Sequence, residues 1–262
     1  MAFKIGISTL CTLNKPLKTL ISLMKEKSMH LWEFVDDGIH FIKNQNNLLL
    51  LKEITKNYNI ELTIHAPYAA INISATNPLS RKFSYNMLLK TIDHARELNC
   101  KYIVFHPGLR DAFTYIFTDL TEPIKESINL LIQIGDLCSQ YGITPLLENL
   151  STYRATILTS NEFKEFFKQS NKFKMVLDIP HAHITKLFEN YLLNLNDYIE
   201  YFHISDNNGE KDMHWALDKG VLDWRNALNK IKNKGLSGPI IIENLSWNDV
   251  QISLNALNNY LT

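Results

Sequence analysis

The sequence predicts an α/β protein, a single domain folded as a (β/α)8 barrel. Three observations carry that prediction. Short apolar, β-branched runs of strand length recur eight times along 262 residues. Stretches with helical spacing separate most of them, the alternation that builds a parallel barrel. No linker or low-complexity block interrupts the series, so residues 1–262 read as one domain.

The first strand spans 3–8 and leads to a helix over 16–27. The second, 30–35, leads to a helix over 47–57, and the third, 61–65, to one over 78–98. There Asn77 precedes Pro78, a capping residue before a proline at the first helical position. The fourth strand, 101–106, precedes a helix over 122–140. The fifth, 144–148, precedes 161–169, with Ser160 as its cap. The sixth, 174–178, is followed by a weaker helical stretch over 183–194. The seventh, 201–204, leads to 222–233, opened by Asp223; the eighth, 239–243, leads to 248–261. A doubly wound sheet is the competing architecture, and it wants a glycine-rich phosphate turn after the first strand. Ser8-Thr9-Leu10 stands there, and no GxxxxGK[ST] occurs.

Composition excludes several classes. Hydrophobic residues at 45% and charged residues at 21% exclude a disordered chain. Lys plus Arg and Asp plus Glu each total 27, so the net charge of zero excludes a strongly basic nucleic-acid binder while leaving a local basic patch open. No uncharged apolar run is long enough for a transmembrane helix, so no membrane partner is expected. The N-terminal residues lack a basic segment followed by a long apolar one, and no signal peptide is expected. Cys11, Cys100 and Cys138 are few, odd in number and scattered, which speaks against a disulfide framework and suits a reducing cytoplasm.

In such a barrel the active site lies at the C-terminal ends of the strands. His65, His106, Glu148 and Asp178 end the third to sixth strands, His203 lies near the end of the seventh, and Glu243 ends the eighth. The adjoining loops add His181, Asp212 and His214. Imidazoles and carboxylates without thiolates suit Zn2+ or Mn2+. One cation also neutralises carboxylates that are costly at the tips of apolar strands. A lone histidine after an apolar strand is usually structural; six successive strand ends of ligand type are not explained that way. His30, His40 and His94 fall outside the pattern and read as packing or surface residues; His183, two residues from His181, could reach the rim, but that is the weaker reading of it. Glu33, ending the second strand, reads as a structural ion-pair member, the alternative being an orienter of a ligand histidine.

At these residues the sequence resembles the xylose isomerase-like TIM barrels, a superfamily of sugar phosphate isomerases and epimerases and of endonuclease IV DNA-repair enzymes. HAPY at 65–68 followed by Asn72 resembles the third-strand motif, HPG at 106–108 the fourth and EN at 148–149 the fifth. LDIPHAH at 177–183, HISDNNGEKDMHWALDKGVLDW at 203–224 and IIEN at 241–244 are similar to the last three. The endonuclease IV branch implies that His65, His106, Glu148, Asp178, His181, His203, Asp212, His214 and Glu243 hold three zinc ions. The isomerase branch implies one core metal on Glu148, Asp178, His203 and Glu243, so one to three ions are expected.

The resemblance implies two reactions. In the leading one, a sugar or sugar phosphate binds its carbonyl and an adjacent hydroxyl to the metal, Glu148 and Glu243 act as base and acid, and His181 stabilises the oxygen that gains charge. In the alternative, the metals hydrolyse a phosphodiester at an abasic site in DNA. Endonuclease IV typically follows its fifth-strand Glu with a Thr-Ala-Gly-Gln-Gly-like segment and carries Asp-Thr-Cys-His in the sixth. This chain has Asn149-Leu150-Ser151-Thr152 and Asp178-Ile179-Pro180-His181, which leans toward the isomerases. Arg81, Lys82, Arg110, Arg154 and Lys211 could line a phosphate site, their simpler reading being solvated charges, and Tyr68 could stack on a base or a sugar face.

Overall fold

The computed structural model describes residues 3–26, 29–43 and 45–261. Its eight strands are β1 (Lys4–Ser8), β2 (Leu31–Val35), β3 (Glu61–His65), β4 (Tyr102–Phe105), β5 (Thr144–Glu148), β6 (Lys174–Asp178), β7 (Ile199–Ile204) and β8 (Pro239–Ile242). They run parallel in chain order, and β1 pairs with β8 to close the barrel. The helices are α1 (Leu17–Glu26), α2 (Gln45–Asn57), α3 (Pro78–Glu97), α4 (Ala112–Ile116), α5 (Glu122–Gln140), α6 (Ser160–Gln169), α7 (Ile179–Thr185), α8 (Phe188–Asn194), α9 (Trp224–Asn233) and α10 (Trp247–Leu261). Lys27, the predicted end of the first helix, lies outside the described residues, as do Met1, Ala2 and Thr262 at the ends of the predicted domain. No described helix is long and apolar enough to cross a membrane. All three cysteines are free and buried.

Alternation along the strands explains both the core and the mouth. Leu31, Tyr102, Val104, Leu146, Val176, Tyr201 and Ile241 pack together inside the barrel. Side chains two residues apart share a strand face. The next inward positions are therefore Glu33, His106, Glu148, Asp178, His203 and Glu243, so the functional residue types sit one layer above an apolar floor. Gly6 is the inward position of β1 at that floor. A Cβ there would meet Ile241 Cδ1 at 2.5 Å and Leu31 Cγ at 2.7 Å, so the larger neighbours fill its place. A second, larger core fills the space between strands and helices.

β4 and β8 stop one residue before His106 and Glu243, which were predicted to end them, and short 3-10 turns occupy Thr9–Thr12 and Gly38–His40; four other departures have an evident physical reason. The cap of α6 is Thr159 rather than Ser160. Thr159 Oγ1 accepts from Glu162 N at 3.3 Å while Thr159 N donates to the Glu162 carboxylate at 2.7 Å, a reciprocal box that outcompetes its neighbour. The weak helix over 183–194 is two helices, because Lys186 takes a left-handed conformation (φ 59°) that ends α7. α7 starts directly after β6, where the Asp178 side chain accepts from His181 N at 2.6 Å. β7 begins at Ile199, two residues early, its Glu200 paired at 2.9 Å with Lys174 of β6. Finally, α4 stands where no helix was predicted; five residues are too few for a periodic signal, and Asp111 caps it.

Candidate metal centre

The two asparagines after the strand-ending glutamates fix the frame of the site. Asn149 Nδ2 donates to the Asp178 carbonyl and its Oδ1 accepts from Asp178 N, both at 2.9 Å, locking the β5 and β6 ends together. Asn244 Nδ2 donates to the carbonyls of His214 (3.1 Å) and Trp215 (2.7 Å), pinning the loop after β7 against β8. Asp206 holds the base of that loop by accepting from the backbone N–H groups of Asn207, Gly220 and Leu222. His214 is thereby held at φ 48°, a conformation uncommon for a residue with a side chain. The sequence motifs contained Asn149, Asp206 and Asn244, but sequence reasoning gave them no role; the repetition of Glu-Asn at two strand ends was the available signal.

His203 is fully buried, and its Nδ1 meets three carboxylates: Glu148 Oε1 at 3.3 Å, Glu243 Oε1 at 3.5 Å and Asp178 Oδ2 at 3.7 Å. One ligand atom from each of these four residues lies within 4.8 Å of the others. Behind the ring, Nε2 faces Glu33 Oε2 at 3.2 Å, and that oxygen also accepts from Tyr201 Oη at 2.9 Å. The surrounding carboxylates hold His203 protonated against burial, and with one proton kept on Nε2 by Glu33 it is Nδ1 that becomes free for a cation once its own proton is displaced. Glu33 thus forms a buried ion pair, as expected, and because its partner is a candidate ligand it also orients His203.

Two smaller groups adjoin the first. His65 Nε2 and His106 Nε2 approach Glu148 Oε2 at 3.2 and 3.1 Å. His181 Nε2 and His214 Nε2 approach Asp212 Oδ2 at 2.8 and 3.1 Å, while Asp212 Oδ1 is buried with no hydrogen-bond partner. The structure thus brings all nine candidate residues to one mouth in three contiguous groups. His183 faces away from it, bonding Asn207 Oδ1 at 3.0 Å through Nδ1. His40 and His94 bond the Lys15 carbonyl and Asp36, and His30 is exposed. Tyr68 stacks on His106 with ring centres 5.2 Å apart. Asp37 holds its loop by accepting from Tyr68 N and Ala69 N.

The electrostatics show what the mouth lacks. Burial works against a charged His65 imidazole, but the bonded Glu148 outweighs it and raises His65 to about 9. His214 is raised to about 9 in the same way by Asp212. Burial, with the Glu148 and Glu33 carboxylates nearby, pushes Glu243 up to about 7 despite His203. The carboxylates are left holding protons on their neighbours. A divalent cation fits this donor set of buried carboxylate oxygens and imidazole nitrogens without thiolates.

The recess above these groups has a volume of about 70 Å³ and is walled on one side by Leu10 and Val35. No lysine or arginine lines it among the described residues. The five basic residues considered for a phosphate site lie elsewhere. Arg81 pairs with Glu126 and donates to the Ala75 carbonyl, and Arg154 donates to the Arg110 carbonyl. Lys82 and Lys211 are exposed.

A family model described as xylose isomerase-like TIM barrel matches residues 27–259. The chain belongs to this family. Among its relatives is the uncharacterized protein MJ1311 of Methanocaldococcus jannaschii, 29% identical over 98% of this chain and 89% of its own length. A probable endonuclease 4 of Metamycoplasma arthritidis is 25% identical over 70% of this chain and 69% of its own. The crystal structure of a D-tagatose 3-epimerase-like protein is 28% identical, with a TM-score of 0.87 covering 99% of this chain and 97% of that one. The IOLI protein, solved with a bound zinc atom, shares the fold at 19% identity and a TM-score of 0.80, over 99% of this chain and 98% of that one. The family thus holds both sugar epimerases and endonucleases.

Proposed function

We propose that this chain is a divalent-metal-dependent isomerase or epimerase of a sugar or sugar phosphate. The observation that carries the reading is the placement of Glu148 and Glu243. They flank the His203 Nδ1 position from different strands, in one recess of about 70 Å³ with an apolar wall. Such a recess suits one end of a small polyol better than a duplex. The likeness to the D-tagatose 3-epimerase-like structure supports the same class.

Glu148, Asp178, His203 and Glu243 would hold Zn2+ or Mn2+, which when bound polarises a substrate carbonyl and an adjacent hydroxyl. One of the two glutamates removes the proton from the carbon beside that carbonyl, and the other returns a proton. Return to the opposite face of the same carbon gives an epimer; return to the neighbouring carbon gives an isomer. His181, kept positive against burial by Asp178 and Asp212, donates to the oxygen that gains charge. His65 and His106 close the side of the recess beside Glu148, and Tyr68 covers them.

One observation favours a second reading. The groups His65–His106–Glu148 and His181–Asp212–His214, with the unpartnered Asp212 Oδ1, are what two further zinc ions of an abasic-site phosphodiesterase would need. The deciding experiment offers the protein, with Zn2+ or Mn2+, a panel of ketoses and their phosphates in deuterated solvent and, separately, an abasic-site duplex. Deuterium at the carbon beside a sugar carbonyl is the expected result. Metal-dependent nicking of the duplex with no exchange in any sugar overturns the proposal in favour of the nuclease.

A further inference from the structure

The loop after β4, which carries His106, also carries α4, and α4 is nearly bare. Thr114 is its one buried residue among those described. Phe113, Tyr115, Ile116 and Phe117, together with Leu79 and Phe83 at the start of α3, are each between 54% and 76% exposed. The two segments are joined by side-chain bonds. Asn72 Nδ2 donates to the Leu109 carbonyl at 2.8 Å, and Thr76 donates through both its N and its Oγ1 to Asp111 at 2.8 Å. Asp111 also caps α4. The apolar side chains are thus held out on a fixed support rather than on a loose strand of chain.

An aromatic or large aliphatic side chain presents about 200 Å². Six of them, more than half exposed, together offer on the order of 700 Å², somewhat above the roughly 300–600 Å² of a typical monomer's largest apolar patch and close to the roughly 800 Å² per partner of a standard interface. The charges beside the patch are self-complementary. Arg110 stands just before α4 and Asp119 just after it. Among the described residues neither side chain has an ion-pair partner. A two-fold axis that lays α4 antiparallel on its mate brings Arg110 of each copy toward Asp119 of the other. Such a contact uses one patch twice.

We propose that this surface is where two copies of the chain associate, with α4 and the first turns of α3 packed against the same elements of a second copy. The contact would fix the segment that follows His106-Pro107-Gly108, and so steady one edge of the mouth.

The test is sedimentation velocity of the full chain at micromolar concentration. Wild type should sediment as a species of twice the 30.3 kDa chain mass. The double variant Phe113→Glu with Ile116→Glu should sediment as the monomer, with an unchanged circular dichroism spectrum because both positions are exposed in the single chain, and with a melting temperature that no longer depends on protein concentration. Arg110→Asp and Asp119→Arg should each weaken the dimer about tenfold or more through like-charge contact, and the two combined should restore it. A monomeric wild type overturns the proposal, as does a dimer indifferent to the double glutamate change. Failure of the charge swap to restore association overturns the antiparallel arrangement.

Discussion

At the floor of the barrel, Lys4 pairs with Glu61 and Lys174 with Glu200, with side chains 33–50% exposed. At the mouth, Glu148, Asp178 and Glu243 are buried and meet imidazoles. The floor sets one cation on a flexible stem against each of these two anions, in water. The mouth sets its carboxylates against imidazoles that are neutral until they take up a proton, so protons are held on His65, His181, His203 and His214, and Glu243 is pushed up to about 7, where a cation would serve. Ion pairs of similar separation thus do different things. Those at the floor cost and contribute little, whereas those at the mouth form a site waiting for charge.

The largest expected effect comes from removing the residue that the mouth shares. Glu148 faces His65, His106, His181 and His203 at 3.1–3.3 Å. Glu148→Gln should abolish the core metal, read by elemental analysis, and lower turnover by on the order of 10²–10⁴. If metal content and proton exchange both persist, the distinction between mouth and floor collapses.

The second effect is on pH. His65 and His214 carry protons up to about 9, and a metal must displace them to reach their nitrogens. Any ion held at these two histidines should therefore bind more tightly as pH rises from neutrality to about 9, measured against a competing chelator, and should release protons on binding. The metal-free protein should move the other way. A histidine raised above its unfolded value of about 6.5 contributes stability that is complete below that value and lost as pH rises through the folded one. The melting temperature of the metal-free chain should accordingly fall between about pH 6.5 and 9, and the metal-loaded chain should not follow it.

A smaller effect separates the metal's own ligands from the residue behind them. Glu33→Leu removes the partner of His203 Nε2 and should weaken metal binding about 10–100-fold. Glu33→Gln, which keeps an acceptor oxygen, should recover much of it. Visible absorption of the Co2+-substituted protein tells a turned imidazole from a merely loosened fold. Equal affinity in Glu33→Leu would show that the ring is held by packing alone.

The order of strands and helices was legible because each strand is a short apolar run and each long helix buries one stripe. Five of the nine residues at the mouth, His106, Glu148, Asp178, His203 and Glu243, were legible as inward strand-end positions two places after an apolar or aromatic residue, as Glu148 follows Leu146 and Glu243 follows Ile241; His65 follows Thr63 and was legible as a strand-end ligand type, and His181, Asp212 and His214 as ligand types in the segments that follow the sixth and seventh strands. What escaped was carried by short or local interactions. α4 is too brief for periodicity, the break at Lys186 is a backbone conformation, and the Thr159 box is settled by one hydrogen-bond geometry. Glu33 was visible as a strand-end carboxylate, yet its partner on β7 lies 170 residues away in sequence, and only barrel closure brings the two together.

The smallest effect belongs to the floor and is the control for all the others. Lys4 and Glu61 sit 50% and 42% exposed at the N-terminal ends of β1 and β3, away from the metal groups. Each side chain gives up rotational freedom to hold the pair, and water screens the attraction. A double-mutant cycle of Lys4→Ala and Glu61→Ala should return a coupling of about 0–1 kcal/mol, shrinking further with added salt. Metal affinity, its pH dependence and proton exchange should all be unchanged, because no buried charge is left without a partner when either is removed. A coupling of several kcal/mol, or a change in metal affinity, would mean that the floor is tied electrostatically to the mouth through the barrel interior. The layer of Leu31, Tyr102, Val104, Leu146, Val176, Tyr201 and Ile241 between them has two polar groups, the Tyr201 hydroxyl, which faces Glu33 and Thr63 on the mouth side, and the Tyr102 hydroxyl, which lies beside Lys101 on the other.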